Sequence, residues 1–376
     1  MNQVTGQISD RASEVQSKLE QLRKRMAARQ LDAVLLNQIP NAAWITAGAA
    51  TYVNEAADGG ASSILVTPDR AYVLTDTIEG PRLRQEEHLE DLGFEFVTDP
   101  WFARGEVSNA LTQGKRVGQD SAAAADDVSL DLRDLRTVFM PQEIARLRRI
   151  GALASEVVNE AIRAVRPGDS EYKLAAALAA GSRVRGGTAI VNLIASDDRI
   201  SQFRHPLPTA KTIEHYAMAV LCLRIAGLVV SVTRLVHFGP LPQVLRDKAM
   251  AVARVDAKVI TGTRAGRTFH DMFDLAKRSY EAEGYPEAIN EHHQGGSAGY
   301  SPREIIAVPN DMTLIENNQA FAWNPSVKGS KSEDTIILTD SGVEVLTTTP
   351  GWPMWDITVE GDTGSQTIQR PAILEA

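Results

Sequence analysis

The chain has 376 residues, of which 43% are hydrophobic and 23% charged, and its formal net charge is −9. This length allows two domains with sizeable cores, and the composition is that of a globular protein. The acidic balance, without any basic cluster, argues against a nucleic-acid partner. Cys222 is the single cysteine, which excludes an intrachain disulfide and favours a reducing compartment.

The sequence predicts a cytoplasmic protein without a membrane contact. The first ten residues, M-N-Q-V-T-G-Q-I-S-D, carry neither an apolar run nor a cleavage pattern of a secretory signal. The longest apolar run, around 217–232, is interrupted by Arg224 and is too short to span a bilayer.

The first part of the chain alternates helical and strand patterns. Apolar residues at helical spacing predict helices over 11–30 and 82–92, and a turn is predicted at 37–41. This alternation predicts an N-terminal α/β domain over residues 1–138. A stretch with Trp44, Tyr52 and Asn54 between strands is either a binding loop or a packing segment. The predicted strands are 31–36, 63–67, 71–74 and 94–97.

The second part, residues 139–376, contains two pairs of predicted helices. Pro141 opens the first helix, which extends to about Val165, and Ser170 begins the next, which extends to about Arg185. A second pair covers 245–261 and 268–284. Strand-rich sequence follows each pair, so we predict an α+β domain with helix pairs on a mostly antiparallel sheet. The predicted strand regions are 188–195, 217–236, 320–323, 335–339 and 343–347.

The stretch 290–304 is rich in groups that bind ligands. Two adjacent histidines precede a predicted Gly-rich turn, and Tyr300, Arg303 and Glu304 follow it. Glycines let a backbone bend sharply or approach a ligand closely. The stretch is therefore either the wall of a pocket or a surface loop whose histidines face water.

Seven short motifs in a fixed order resemble the pita-bread family, which includes methionine aminopeptidase, aminopeptidase P, prolidase and creatinase. The prolidase/creatinase branch fits best, because its members carry an extra N-terminal α/β domain. The resemblance implies a pita-bread C-terminal domain, an N-terminal creatinase-like domain and a homodimer. The motifs are P-Q-E-I-A-R-L-R-R-I at 141–150, R-P-G-D-S-E at 166–171, R-H-P-L-P-T at 204–209, S-V-T-R at 231–234, H-H-Q-G-G at 292–296, W-N-P-S at 323–326 and S-E-D-T-I-I-L-T at 332–339.

The family's peptidases hold two divalent metals with two Asp, one His and two Glu, and this sequence departs from that set. Divalent metals need anionic or imidazole ligands around one point. The matching positions here are Val220, Ser231, Gly296, Asn324 and Glu333, of which only Glu333 is a ligand type. We therefore expect no metal and no cofactor.

The resemblance to creatinase, the metal-free enzyme of the family, implies roles for the polar residues that remain. His205 is the expected general base, Arg303 the group that binds a substrate carboxylate, and Glu333 a group that orients substrate or base. His292 is expected to stabilise developing negative charge. Further substrate contacts are predicted for Ser231, Gln294, Tyr300, Glu304 and Asn324, and, from the N-terminal domain of a second subunit, Tyr52.

These roles predict a metal-independent hydrolase that cleaves a C–N bond of a small carboxylate-bearing substrate. Three alternatives stay open: a lyase on a similar substrate, a catalytically inactive binding protein, and a metal-dependent Xaa-Pro peptidase, against which the lost ligands argue. Purely structural roles also stay open. His205 could belong to an ordinary loop, Arg303 could form an ion pair with Glu304 or Asp311, and Glu333 could be one of a pair of surface acids.

Overall fold

The structure is a computed structural model that describes residues 8–361 and 364–376 in two compact units. One unit contains Met1–Arg146 and Ile225–Leu228, and the other contains Leu147–Arg224 and Val229–Ala376. The division predicted after residue 138 stays a prediction. The secretion prediction was based on the first ten residues, of which residues 1–7 lie outside the described part. No helix in that described part is both long and apolar enough to cross a membrane.

The first unit is built on a mixed five-stranded sheet with the order β4-β3-β2-β1-β5. β1 and β2 pair antiparallel, as do β2 and β3, whereas β5 joins β1 and β4 joins β3 in parallel. The predicted pairing of 63–67 with 71–74 is confirmed. The strands are β1 Ala33–Gln38, β2 Gly59–Val66, β3 Ala71–Asp76, β4 Glu95–Asp99 and β5 Val117–Gln119.

The helices of this unit confirm one prediction and correct two. α1 buries the apolar positions whose spacing predicted it, and α3 is shorter than the predicted helix over 82–92. The predicted turn at 37–41 is wrong because α2 starts there, with Pro40 in its first turn, where a missing N–H costs no hydrogen bond. Trp44 is buried in α2 and therefore packs. The helices are α1 Ile8–Ala28, α2 Ile39–Ile45, α3 Gly80–Gln85 and α4 Ser129–Thr137, with a 3-10 turn at Ser108–Leu111.

The long helix α5 begins in the first unit and continues in the second, and both predicted helix pairs are confirmed. The side chain of Ser170 caps α6 by accepting from the Lys173 N–H. Thr268 and Asp271 form a reciprocal capping box at α9. The helices are α5 Pro141–Ala164, α6 Glu171–Val184, α7 Arg199–Gln202, α8 Gln243–Gly262, α9 Phe269–Ala282 and α10 Ala288–Glu291.

The second unit contains two main sheets with the orders β18-β8-β7-β6 and β10-β9-β11-β14-β15. The predicted strand region 217–236 is two strands, because Ala226 and Gly227 form a turn with φ of 48° and 77°. An isolated bridge between Thr233 and Glu333 links β8 to the residue before β14. The strands are β6 Thr188–Ser196, β7 Tyr216–Ile225, β8 Leu228–His237, β9 Gly295–Ala298, β10 Ile305–Ile306, β11 Gln319–Trp323, β12 Ser326–Val327, β13 Ser330–Lys331, β14 Asp334–Thr339, β15 Gly342–Val345, β16 Met354–Gly361, β17 Gly364–Pro371 and β18 Leu374–Glu375.

The glycine-rich stretch predicted as a turn is the strand β9, which lies between β10 and β11. Its glycines are needed because neighbouring backbones approach them closely. A Cβ at Gly295 would lie 2.1 Å from the carbonyl oxygen of Ala322, and one at Gly296 would lie 2.0 Å from that of Ile305. The close approach is thus to protein backbone, and the ligand-binding groups lie on either side of this strand.

Candidate functional site

A cavity of about 330 Å³ opens in the second unit between the two sheets' strands. β6 and β7 supply an apolar wall, and residues near β9, β11 and β14 supply the polar side. The lining residues are Val191, Leu193, His205, Val220, Cys222, His293, Pro302, Arg303, Asn324, Lys331 and Glu333. The cavity therefore combines a hydrophobic face with a small set of charged and hydrogen-bonding groups, as small-molecule sites do.

Glu333 is the charged centre of the cavity, and its side chain is buried. Its carboxylate accepts from Arg303 Nη2 at 2.8 Å, Lys331 Nζ at 2.9 Å and Thr233 Oγ1 at 2.7 Å. Burial alone would raise the pKa of Glu333, but Lys331 and Arg303 hold it well below its usual range. The carboxylate is therefore ionised, and it faces two cations.

Three histidine rings lie together at the polar side of the cavity. His205 Nε2 and His292 Nε2 are 3.0 Å apart, and the rings of His292 and His293 stack with centroids 4.5 Å apart. Burial, and then the charge of Lys331, lowers the pKa of His292 to about 2, and burial with Arg303 lowers that of His293 to about 4. Burial lowers the pKa of His205 as well. All three rings are therefore neutral at pH 7.

Several buried polar atoms near the cavity have no hydrogen-bond partner among the described residues. They are Arg303 Nε, Asn324 Oδ1 and His292 Nδ1. A buried polar atom without a partner costs about 1–3 kcal/mol. Such atoms beside a cavity indicate that a bound molecule or water completes the hydrogen bonding there.

The structure brings together part of the set of residues predicted from the sequence. His205, Arg303, Asn324 and Glu333 line the cavity, and His292 contacts His205. Ser231 lies behind them and accepts from Arg303 Nη1 at 3.2 Å.

Gln294, Tyr300 and Glu304 are not among the residues that line the cavity. Gln294 accepts from the Tyr280 hydroxyl at 2.7 Å, which ties it to α9. Glu304 Oε1 accepts from the backbone N–H groups of Tyr300 and Ser301, both at 3.0 Å, so it shapes the loop before β10. Tyr52 belongs to the first unit, and its role at the site of a second subunit stays a prediction.

Sequence reasoning missed Lys331 and His293. Lysines are mostly exposed, and one lysine between serines gives no signal of burial. The structure shows Lys331 with a side chain only 6% exposed. Its position two residues before Glu333, on a short strand, was the available clue, because residues i and i+2 of an extended chain face the same side. His293 was overlooked in favour of its neighbour His292.

Comparison with known proteins identifies the family. The sequence profile of metallopeptidase family M24 matches residues 145–341, more than half of the chain, and that of the creatinase/prolidase N-terminal domain matches residues 18–150. The chain belongs to metallopeptidase family M24.

Two relatives match along nearly their whole length. An Xaa-Pro dipeptidase of Pyrococcus horikoshii is 23% identical, with 88% of this chain and 97% of the relative covered. One of Pyrococcus furiosus is 22% identical, with 89% and 99% covered. The structure of an Xaa-Pro dipeptidase from Bacillus anthracis superposes with a TM-score of 0.73 at 22% identity, covering 89% and 98%. The predicted pita-bread fold with a creatinase-like N-terminal domain is confirmed.

The predicted reaction is wrong. We expected a metal-independent, creatinase-like hydrolase acting on a non-peptide C–N bond, whereas the matching family is one of metallopeptidases and these relatives are Xaa-Pro dipeptidases. The chain thus belongs to a family of hydrolases, and the relatives named above are peptidases. The prediction failed because His205, Arg303 and Glu333 fit any small carboxylate-bearing substrate, peptides included.

The pair of divalent ions that the family resemblance implies does not fit the residues at the five corresponding positions. Val220 offers no donor atom, and Ser231 Oγ already accepts from Arg303. A histidine at Gly296 has no room, since even its Cβ would lie 2.0 Å from the Ile305 carbonyl oxygen. Glu333 is the one carboxylate among the five, and Arg303 and Lys331 already compensate its charge. A single compensated carboxylate cannot bind two dications.

Proposed function

We propose that this M24 chain is a hydrolase of short peptides with a free C-terminal carboxylate, with Xaa-Pro dipeptides as the first candidates. The peptide bond is proposed from the family and from the relatives' activity. The observation that carries the substrate class is the charge of the cavity, where Arg303 and Lys331 face the single carboxylate of Glu333.

The cavity carries one more positive side chain than negative ones, because the three imidazoles beside it are neutral. The side chains of Arg303 and Lys331 are only 12% and 6% exposed, so solvent screens their charge weakly. An excess cation in a partly desolvated cavity attracts a carboxylate. Arg303 Nη1 donates to Ser231 and Pro302, and Nη2 donates once, to Glu333. Within the part of the chain that the structure describes, this leaves the Nε–H and one Nη2–H to bind a carboxylate.

The remainder of the cavity suits a compact peptide. Val191, Leu193 and Val220 form an apolar wall against which a proline ring or another small apolar side chain can pack. Asn324 Oδ1, buried and without a partner in the described part of the chain, can accept from an N–H group of the substrate. A carboxylate, an apolar ring and an N–H donor occur together in a dipeptide.

The test is a panel of dipeptides incubated with untagged protein, with products identified by mass spectrometry. Each Xaa-Pro peptide is paired with its C-terminal amide, and every reaction is run with added Zn²⁺, Mn²⁺ or Co²⁺ and with chelator. We expect hydrolysis of the free acids and weaker or absent hydrolysis of the amides. Equal rates for acids and amides would contradict the carboxylate proposal, and no hydrolysis under any condition would contradict the hydrolase.

A binding protein without turnover is the second candidate. It is favoured by the side chains at four of the family's five metal-ligand positions, which are not metal ligands here: Val220, Ser231, Gly296 and Asn324. Calorimetry with the same peptides distinguishes the two, because this candidate predicts carboxylate-dependent binding of peptides that stay intact.

Replacing Lys331 with methionine is expected to weaken binding of peptide carboxylates by about tenfold or more, since one charge-assisted contact contributes about 1.5–3 kcal/mol. The measurement is the KM for an Xaa-Pro peptide if it is hydrolysed, or its Kd by calorimetry if it stays intact. Lys328→Met is the matched control, because its side chain is 66% exposed and pairs with Glu291 away from the cavity lining. Equal KM or Kd values for Lys331→Met and the unchanged protein would remove Lys331 from the binding role.

The proposal includes a homodimer, as the resemblance to the creatinase branch implies, and a cytoplasmic location, which the single cysteine favours. Light scattering on the full-length chain is expected to give twice the chain mass of 40.8 kDa. A single-chain mass at micromolar concentration would contradict the dimer and, with it, the proposed contribution of Tyr52 to a partner's site.

A further inference from the structure

The histidine cluster has a geometry that the family's metal positions do not explain. His205 follows α7, and His292 and His293 follow α10. One ring nitrogen from each of the three residues lies within 4.8 Å of the other two. His292 and His293 stack, and His205 meets the His292 ring edge-on and the His293 ring at a tilt of 47°. The three rings therefore place three nitrogen donors in one small volume.

These separations are close to those of a metal site. Zinc–imidazole bonds of about 2.0–2.1 Å in a tetrahedral arrangement place ligand nitrogens about 3.3 Å apart. His205 Nε2 and His292 Nε2 are already 3.0 Å apart. The His293 ring needs to turn out of its stack on His292 and to move by about 1–2 Å to reach that spacing. We propose that His205, His292 and His293 form a mononuclear site for a transition-metal dication, with zinc the first candidate.

Such a site would open toward the substrate cavity. His205 and His293 both line that cavity, so a fourth coordination position would face it. Three protein ligands with one open position is the arrangement of catalytic rather than structural zinc sites. The site shares no residue with positions 220, 231, 296, 324 and 333, so it is a different centre from the one that the family resemblance implies at those positions.

The surroundings set limits on the expected affinity. Arg303 and Lys331 carry positive charge near the rings, and Glu333 compensates only one of them, so a dication meets repulsion. Ligation through His293 Nε2 places its proton on Nδ1, which gives up the 3.2 Å hydrogen bond from the Gly295 N–H. His292 Nδ1 has no partner in the described chain to orient the ring. We therefore expect binding weaker than in closed structural sites.

The rival explanation of the 3.0 Å contact is a hydrogen bond between two neutral imidazoles, one protonated on Nε2 and the other accepting. That arrangement needs no ion and no contribution from His293. The two explanations therefore differ in the role of the third ring, and a variant at position 293 separates them.

The experiment measures metal binding directly, so its outcome is independent of whether the proposed peptidase activity is found. Chelator-treated, full-length protein without a polyhistidine tag is titrated with Zn²⁺ by calorimetry and with Co²⁺ by visible absorption. We expect one ion per chain and a Co²⁺ spectrum of low coordination number. His205→Ala and His293→Ala should each weaken binding by at least about tenfold, the loss that even an outer partner of a metal ligand produces.

The controls are His270→Ala and Glu333→Gln. His270 is on α9, next to Asp274 and outside the cluster, so its variant should bind like the unchanged protein. Thermal unfolding establishes that each variant is folded before titration. Absence of binding, or binding unchanged in His293→Ala, overturns the proposal. Binding of two ions that is lost in Glu333→Gln and kept in the histidine variants would instead assign the metal to the family's own positions and would overturn it equally.

Discussion

Arg370→Met is expected to destabilise the second unit by about 3–5 kcal/mol, the cost of leaving a buried charge without its partner. The Arg370 side chain, on β17, is fully buried, and its Nη2 donates to Asp256 and Asp334, both at 2.6 Å. After the substitution, Asp334 still has Arg234 as a partner at 2.9 Å, whereas Asp256 has only the hydroxyl of Ser332. The pKa of Asp256 is already raised by burial, so without Arg370 it should take up a proton or draw in water.

Urea unfolding followed by tryptophan fluorescence measures the loss. Arg148→Met is the matched control, since Arg148 also donates to a carboxylate, that of Glu344, through both Nε and Nη2, but both side chains are about half exposed. An exposed pair contributes about 0–1 kcal/mol. Similar losses for the two variants would contradict the argument that burial, rather than the number of ion pairs, determines their energetic weight.

The buried ion pairs of Arg234 and Arg370 with Asp334 and Asp256 lie next to the candidate site. Asp334 directly follows Glu333, and the Glu333 carbonyl accepts from the Thr233 N–H at 3.0 Å. Arg234 and Arg370 therefore fix the backbone from which the Glu333 carboxylate reaches the cavity. The buried ion network thus holds the segment that carries Glu333, and Arg234, Asp334 and Arg370 are not among the residues that line the cavity.

Local signals were sufficient where hydrophobic periodicity and capping agree. The helix predicted at 245–261 is α8 Gln243–Gly262, and Ser170 and Thr268 both cap helices that their sequence context predicted. The turn predicted at the glycines 295 and 296 was wrong because glycine occurs both in turns and in strands that other backbones approach closely. Only the three-dimensional approach of the Ala322 and Ile305 backbones distinguishes these uses.

Part of the candidate site could be predicted from the order of short sequence motifs. Motif order placed His205, Arg303 and Glu333, because their neighbours in sequence are distinctive. The only sequence signal for Lys331 was its position two residues before Glu333, because a buried lysine is tolerated only beside a compensating acid and the fold determines that pairing. The reaction was not predictable. Missing metal ligands show that the family's ligand set is incomplete, but they do not show what the remaining donors, such as the three histidines, bind.

In the first unit, Glu14→Gln is expected to cost about 3 kcal/mol at pH 7, with a defined dependence on pH. Glu14 on α1 accepts from Arg146 at 2.7 Å through both oxygens and from Lys18 at 2.6 Å. Burial would raise its pKa, but Arg146 and Lys18 outweigh burial and lower the pKa from 4.5 to about 2. The folded state therefore holds this proton more weakly than the unfolded chain does.

The sign of the pH effect follows from that difference. Ionised Glu14 stabilises the fold fully above the unfolded pKa of 4.5, and the contribution is lost as pH falls toward the folded pKa of about 2. The gap in unfolding free energy between the unchanged protein and Glu14→Gln should thus be largest at pH 7 and fall to less than about half by pH 3. Glu20→Gln, exposed on the same helix, should stay within about 0.5 kcal/mol throughout. A gap that is constant from pH 7 to pH 3 would mean that Glu14 contributes through packing, and the charge of Arg146 and Lys18 would then have no part in holding α1 to the start of α5.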